Sequence, residues 1–201
     1  MAGFWILLAL VILLALYVII TYNGLVSMRT RIENAWAQID VQLKRRYDLI
    51  PNLVETVKGY ASHEKETLEG VVQARNVAMA ASGPAGQAAA ENMVTGALKS
   101  IFALSEAYPD LKANTGFLNL QEELTGTESR IAYSRQFYND SVLKYNTRIQ
   151  TFPSNTIAGK FSFVAREYFE VEESAIAAVV VDFGTTPASG ATTPPVPPAT
   201  P

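Results

Sequence analysis

His63 and Glu64 stand side by side at the head of a charged stretch that runs to Glu69. A histidine followed by a glutamate opens the zinc-protease helix motif, which needs a second imidazole one turn later so that both face one metal. That position is Thr67, and His63 is the only histidine in the chain. The stretch therefore reads as a charged surface. A second cluster, Glu122, Glu123 and Glu128 with Arg130 and Arg135, has the residue types for an acid/base pair or a metal site inside a helical bundle. Di-metal bundles pair Glu-x-x-His motifs from two helices, which a single histidine cannot supply. Glu128 and Arg135 are seven residues apart, on one helix face but two turns apart and beyond direct contact. Glu123, Glu128, Arg130 and Arg135 accordingly read as a structural polar layer of the kind that sets helix register.

Cysteine is absent, which removes thiolate metal sites, iron–sulfur clusters and cysteine nucleophiles. No glycine-rich loop follows a strand and no Gly-x-Ser-x-Gly occurs, so nucleotide binding and esterase chemistry have no foothold. The expectation is a protein with no cofactor, no metal and no enzymatic activity. Sixteen Lys plus Arg against nineteen Asp plus Glu leave a net charge of −3, which argues against nucleic acid as a partner. The basic run Lys44, Arg45, Arg46 would touch anionic lipid only if the chain bent back. On a straight helix it stands about 35 Å past the apolar N-terminal segment, and with Asp40 and Asp48 one turn away it reads as solvated. Tyr133, Phe137, Tyr138 and Tyr145, and later Phe161, Phe163, Tyr168 and Phe169, read mainly as core. Any left exposed would mark a partner surface. Tyr168 and Phe169 lead into the acidic run Glu170-Val171-Glu172-Glu173, which would suit a basic partner.

These side chains need elements to hold them. Residues 2–20 carry no charged side chain, and the first charge is Arg29. Nineteen helical residues reach roughly the 30 Å of a bilayer core, with Trp5 at one end and Tyr17 and Tyr22 near the other, suited to the interfaces. The segment reads as a retained transmembrane helix, because a cleaved signal would carry a basic lead before the apolar run. Basic residues follow the span and none precede it, which places the short N-terminus outside and the body in the cytoplasm.

In the body, Ile32, Trp36, Ile39, Leu43, Tyr47, Ile50, Val54, Val57 and Ala61 recur at steps of three and four, as on one helix face. The register continues through Leu68 and Val71, so one helical path is expected past Pro51, with a kink or brief break there because Pro51 cannot donate to the carbonyl of Tyr47. The next interruption is Ser82-Gly83-Pro84-Ala85-Gly86. Met93, Ala97, Ile101 and Leu104 then lead to Pro109, and Phe117, Leu120, Leu124, Ile131, Tyr138, Val142, Tyr145, Ile149 and Phe152 give the clearest helical stripe in the chain. Only Ala177 to Phe183 has a β-branched run. Six of the ten prolines fall from Pro187 to Pro201, in a segment expected to be disordered from residue 184. The fold class expected is all-α: an anchor at 1–21, an antiparallel bundle of three to four long helices over 22–183, and a Pro/Thr/Ala-rich tail at 184–201.

Several blocks carry a resemblance: Tyr22-Asn23-Gly24-Leu25-Val26, Ala35-Trp36-Ala37-Gln38-Ile39-Asp40, Asp48-Leu49-Ile50-Pro51-Asn52-Leu53-Val54, Leu120-Gln121-Glu122-Glu123-Leu124, Tyr138-Asn139, Tyr145-Asn146, Phe152-Pro153-Ser154-Asn155 and Arg166-Glu167-Tyr168-Phe169. Together, over about residues 5–173, the chain resembles the LemA family of bacterial membrane-anchored proteins. The resemblance implies an N-terminal transmembrane helix with a small external N-terminus and a cytoplasmic antiparallel bundle in the cell membrane. It implies no catalytic residues, and it suggests membrane quality control and membrane proteases as the partner class. The function expected is a membrane-anchored scaffold or adaptor, touching lipid through residues 2–20. The alternative is a self-assembling, membrane-organising homo-oligomer.

Overall fold

The structure is a computed structural model that describes residues 1–170. The β-branched run at 177–183 and the proline-rich segment lie outside the described residues. Among these residues the secondary structure is entirely helical: α1 (Ala2–Lys58), α2 (Lys65–Ala80), α3 (Gly83–Ser105), a single turn α4 (Pro109–Lys112), α5 (Thr115–Gln150) and α6 (Ser154–Lys160). The first nineteen residues of α1 stand bare of other elements, with none of the apolar window buried. From Thr21 and Leu25 onward α1 is packed against later helices.

Cross-helix pairs fix the directions. Arg45 meets Glu123 and Trp36 meets Tyr138, so α5 runs antiparallel to α1. The Gln87 amide donates to the carbonyl of Ala78, at the hairpin that returns α3 along α2. α3 reaches α1 through Arg46 and Glu91, and α5 through the Phe102–Phe117 ring pair. Four helices thus run side by side at the end far from the apolar segment, whereas nearer to it α1 and α5 continue as a pair. The buried stripe on α1 is Ile32, Ala35, Ile39, Leu43, Tyr47, Ile50, Leu53 and Val57. It is rotated slightly from the one expected, and leaves Trp36 and Val54 only partly buried.

The one helical path expected past Pro51 is present as far as Lys58, and the proline makes no break in it. The carbonyl of Tyr47, which Pro51 leaves without its intrahelical donor, accepts a 2.8 Å hydrogen bond from Nε of Arg75 on α2. The chain instead turns between Gly59 and Glu64, which the sequence stripe did not reveal. Ala61 inside this turn and Leu68 after it are both buried and seven residues apart, so the turn preserves the helical arithmetic. The later turn falls where expected, with Gly83 at φ +75° and Pro84 in the first turn of α3. Asn114 caps α5 by accepting from the Phe117 N–H at 2.9 Å, while its amide donates to the Tyr60 hydroxyl and ties the start of α5 to the end of α1.

Candidate functional site

The expected polar layer does not assemble. Glu122, Glu128 and Arg130 are exposed, and Glu123 reaches only Arg45, at 3.6 Å with both side chains half exposed. Such a pair contributes less than about 1 kcal/mol. Arg135 forms no ion pair with Glu128 and lies over the ring of Phe169, 4.8 Å from its centroid. Partial burial lowers its pKa from the usual arginine value. His63 is exposed in the turn before α2.

The buried charge lies instead with Arg46, which the sequence placed in solvent. Its side chain is 3% exposed, and its guanidinium donates to Glu91 at 3.1 Å and to Thr95 at 3.0 Å. The Tyr47 hydroxyl donates to the other carboxylate oxygen of Glu91 and accepts from Gln87 at 2.7 Å. Burial, and then the neighbouring carboxylate, push the Tyr47 phenol well above its ordinary range, so it keeps its proton as a donor. Desolvating an ion pair is costly, and it is offset only when the remaining donors and acceptors are satisfied as well. Here Tyr47, Gln87 and Thr95 take up most of them, Nε of Arg46 alone staying without a partner, and the network joins α1 to α3.

A second constellation grips the chain after α6. Ser162, at φ 56°, closes α6: the Phe163 N–H bonds the carbonyl of Ala158 at 2.9 Å, and the Ser162 N–H bonds that of Gly159. Residues 163–170 then run without helical structure back along α5. Tyr145 donates to the carbonyl of Val164 at 3.0 Å, and the Asn146 side chain both donates to the carbonyl and accepts from the N–H of Arg166, each at 2.9 Å. Seven residues earlier on α5 the pattern repeats. Tyr138 donates to the carbonyl of Glu167 at 2.9 Å, and Asn139 exchanges two bonds with Phe169 at 3.1 and 2.9 Å.

The repeat follows from geometry. Seven helical residues rise about 10.5 Å, and three extended residues span about 10 Å, so a Tyr-Asn pair every seven residues meets every third residue of a strap. The dipeptides Tyr138-Asn139 and Tyr145-Asn146 were visible in the sequence. Their target was not, because these bonds are made to main chain and leave no mark in the strap's side chains. Phe169 is buried on Trp36 and Tyr138, while Tyr168 is partly buried, so both pack within the body. Beyond the apolar segment, the aromatics left in solvent are Tyr133 and Phe152, and to a lesser degree Tyr22, Tyr60 and Phe161.

The family model described as LemA family matches residues 35–183. The chain belongs to the LemA family. A LemA relative, Protein LemA of Metamycoplasma hominis, is 29% identical over 155 residues, covering 75% of this chain and 69% of that protein. Magnetosome protein MamQ 2 of Paramagnetospirillum magneticum is 26% identical, and magnetosome protein MamQ of Magnetospirillum gryphiswaldense is 25% identical. Each alignment covers 74% of this chain and 64% of the relative, so this LemA-family chain spans less than two thirds of those two proteins. The strap, the Tyr-Asn pairs and the Arg46–Glu91 network all lie within the matched region.

Proposed function

We propose that this protein is a non-enzymatic scaffold or adaptor of the bacterial inner membrane. The apolar part of α1 crosses the bilayer once, with the short N-terminus outside and the body in the cytoplasm, where its helices present surfaces to protein partners such as membrane proteases. The observation that carries this reading is how the body's polar groups are employed. Arg46, Glu91, Tyr47 and Gln87 bind one another across helices, and Tyr138, Asn139, Tyr145 and Asn146 bind main chain. These groups hold a shape, which leaves the outer helix faces as the surface for work. The bare apolar helix and the basic residues that follow it support the location and its orientation.

A second reading, lateral self-assembly, is favoured by the outer face of α5. There Leu118, 45% exposed, lines a shallow depression with Gln121, Glu122, Thr125, Gly126 and Ser129, and Tyr133, 75% exposed, lies one helical turn beyond Ser129.

A photo-crosslinking residue in place of Tyr133, activated in native membranes, tests both. Discrete adducts to other proteins support the adaptor, a ladder of multiples of the chain supports the assembly, and the absence of adducts to either removes both. Orientation is read with Ser82→Cys, exposed between α2 and α3 in a chain without other cysteines. Labelling by an impermeant maleimide is expected only after permeabilisation, and labelling of intact cells would reverse the topology.

A further inference from the structure

α5 ends level with the point where α1 loses its apolar sheath. Trp36 faces Tyr138 on an antiparallel partner, and twelve more residues at equal rise bring Gln150 opposite Gly24. Direct contacts agree. The ring of Tyr22 sits 4.9 Å from that of Phe161 and 5.7 Å from that of Phe163, and α6 packs against α1 near the buried Thr21 and Leu25. Gly24 is about 6 Å beyond Ile20 along the helix axis. That is roughly the depth of one headgroup layer outside the hydrocarbon core.

The corner that reaches this level carries two exposed aromatic rings, Phe152 free of any ring partner and Phe161 with one side on Tyr22 and the other open. Phe152 is 80% exposed and Phe161 is 49% exposed. The surrounding sequence is one-signed: from Ser141 to Arg166 there are four basic residues, Lys144, Arg148, Lys160 and Arg166, and no acidic one, in a chain whose net charge is −3. Among the described residues Arg166 pairs with Glu33, whereas Lys144, Arg148 and Lys160 are exposed and form no ion pair.

We propose that the α5–α6 corner is a second membrane contact. In it Phe152 and Phe161 enter the headgroup layer beside the exit of α1, and Arg148 and Lys160, with Lys144 behind them, face anionic lipid headgroups. Exposed rings at interface depth and a flanking basic surface are the two terms by which peripheral elements hold lipid. The contact is continuous with the apolar face of α1 and rests on the reading that α1 spans the bilayer. It holds the body against the membrane at two points, so the bundle cannot swing about α1 alone.

The full chain, reconstituted in vesicles of phosphatidylcholine and phosphatidylglycerol, carries a single environment-sensitive fluorophore at Leu10→Cys, Phe152→Cys or Tyr133→Cys. Lipids bearing spin labels near the headgroup or deep in the acyl chain act as quenchers. The Leu10 probe should be quenched best by the deep label, the Phe152 probe severalfold better by the shallow label than by the deep one, and the Tyr133 probe by neither. Replacing Lys144, Arg148 and Lys160 together by glutamine, or omitting phosphatidylglycerol, should lower the Phe152 quenching severalfold while the Leu10 signal stays. A Leu10 probe that no lipid quenches would overturn the spanning reading itself. A quenched Leu10 probe beside an unquenched Phe152 probe would overturn this proposal alone, whether the Phe152 emission reports water or contact between copies.

Discussion

The two halves of the body solve the same packing problem with different means. At the far end four helices enclose a core, so a charged pair can be buried there: Arg46 and Glu91 lose water but gain Tyr47, Gln87 and Thr95. Nearer the apolar segment only α1 and α5 remain as long helices, with the short α6 packed across their end. Two helices cover one seam and leave its edges open, so a further layer is needed, and the strap at 163–170 supplies it. A segment without helical or sheet partners must place its main-chain groups somewhere, and side chains of α5 take that role. The buried charge in the four-helix end is thus met by side chains, with Gln87 and Arg75 adding single bonds to main chain, whereas in the two-helix arm the Tyr-Asn pairs bond main chain throughout. The first fixes which helices are neighbours, and the second fixes where an extended chain lies.

Glu91→Ala is the strongest way to separate the two regions. It leaves the Arg46 guanidinium buried without its counterion and should cost about 3–5 kcal/mol of stability, read as a fall in the urea midpoint of the full chain in detergent. Amide exchange should rise first in α2 and α3, and equal acceleration in the strap would show that the regions unfold as one. Phe169→Ala is the matching cut in the arm. Removing a buried ring from Trp36 and Tyr138 should cost about 3 kcal/mol and expose the strap to proteolysis while α2 and α3 keep their protection. Asn146→Ala removes both bonds to Arg166 and should cost about 2 kcal/mol, with the Arg166 amide exchanging faster. Combined with Asn139→Ala, a loss smaller than the sum of the two would mean that the strap has already been released by the first change. Ser162→Gly is the smallest and has the opposite sign. Relieving a side chain at φ 56° should raise the melting temperature slightly, by the equivalent of about 1 kcal/mol.

The helices were legible because their signal is repeated: Phe117, Leu124, Ile131, Tyr138 and Tyr145 keep one face through four heptad steps, and all are buried as expected. Breaks were less legible. Pro51 looked like an interruption because the sequence shows the missing donor but not Arg75, which replaces it from another helix 28 residues away. The turn after Lys58 was hidden because its length conserves the register. Arg46 was read as solvated since its carboxylate partner is 45 residues distant and appears only when α3 folds back. Among the candidate positions, Glu123, Glu128 and Arg130 share a helix but not a site. Their pattern describes an outward face, and what they could bind is not encoded in that spacing.

The hydrogen bond from Arg75 to Tyr47 has a mechanical consequence. With the Tyr47 carbonyl satisfied, α1 runs unbroken through Pro51, and one continuous helical rod carries the apolar segment into the core of the body. From Ile20 to Lys58 that rod is about 57 Å long. With its apolar end in a bilayer, where helices tilt by tens of degrees as thickness changes, a tilt of about 10° sweeps the far end through about 10 Å. A change in the lipid would then be felt as a displacement at the opposite pole of the protein, with no joint between to absorb it.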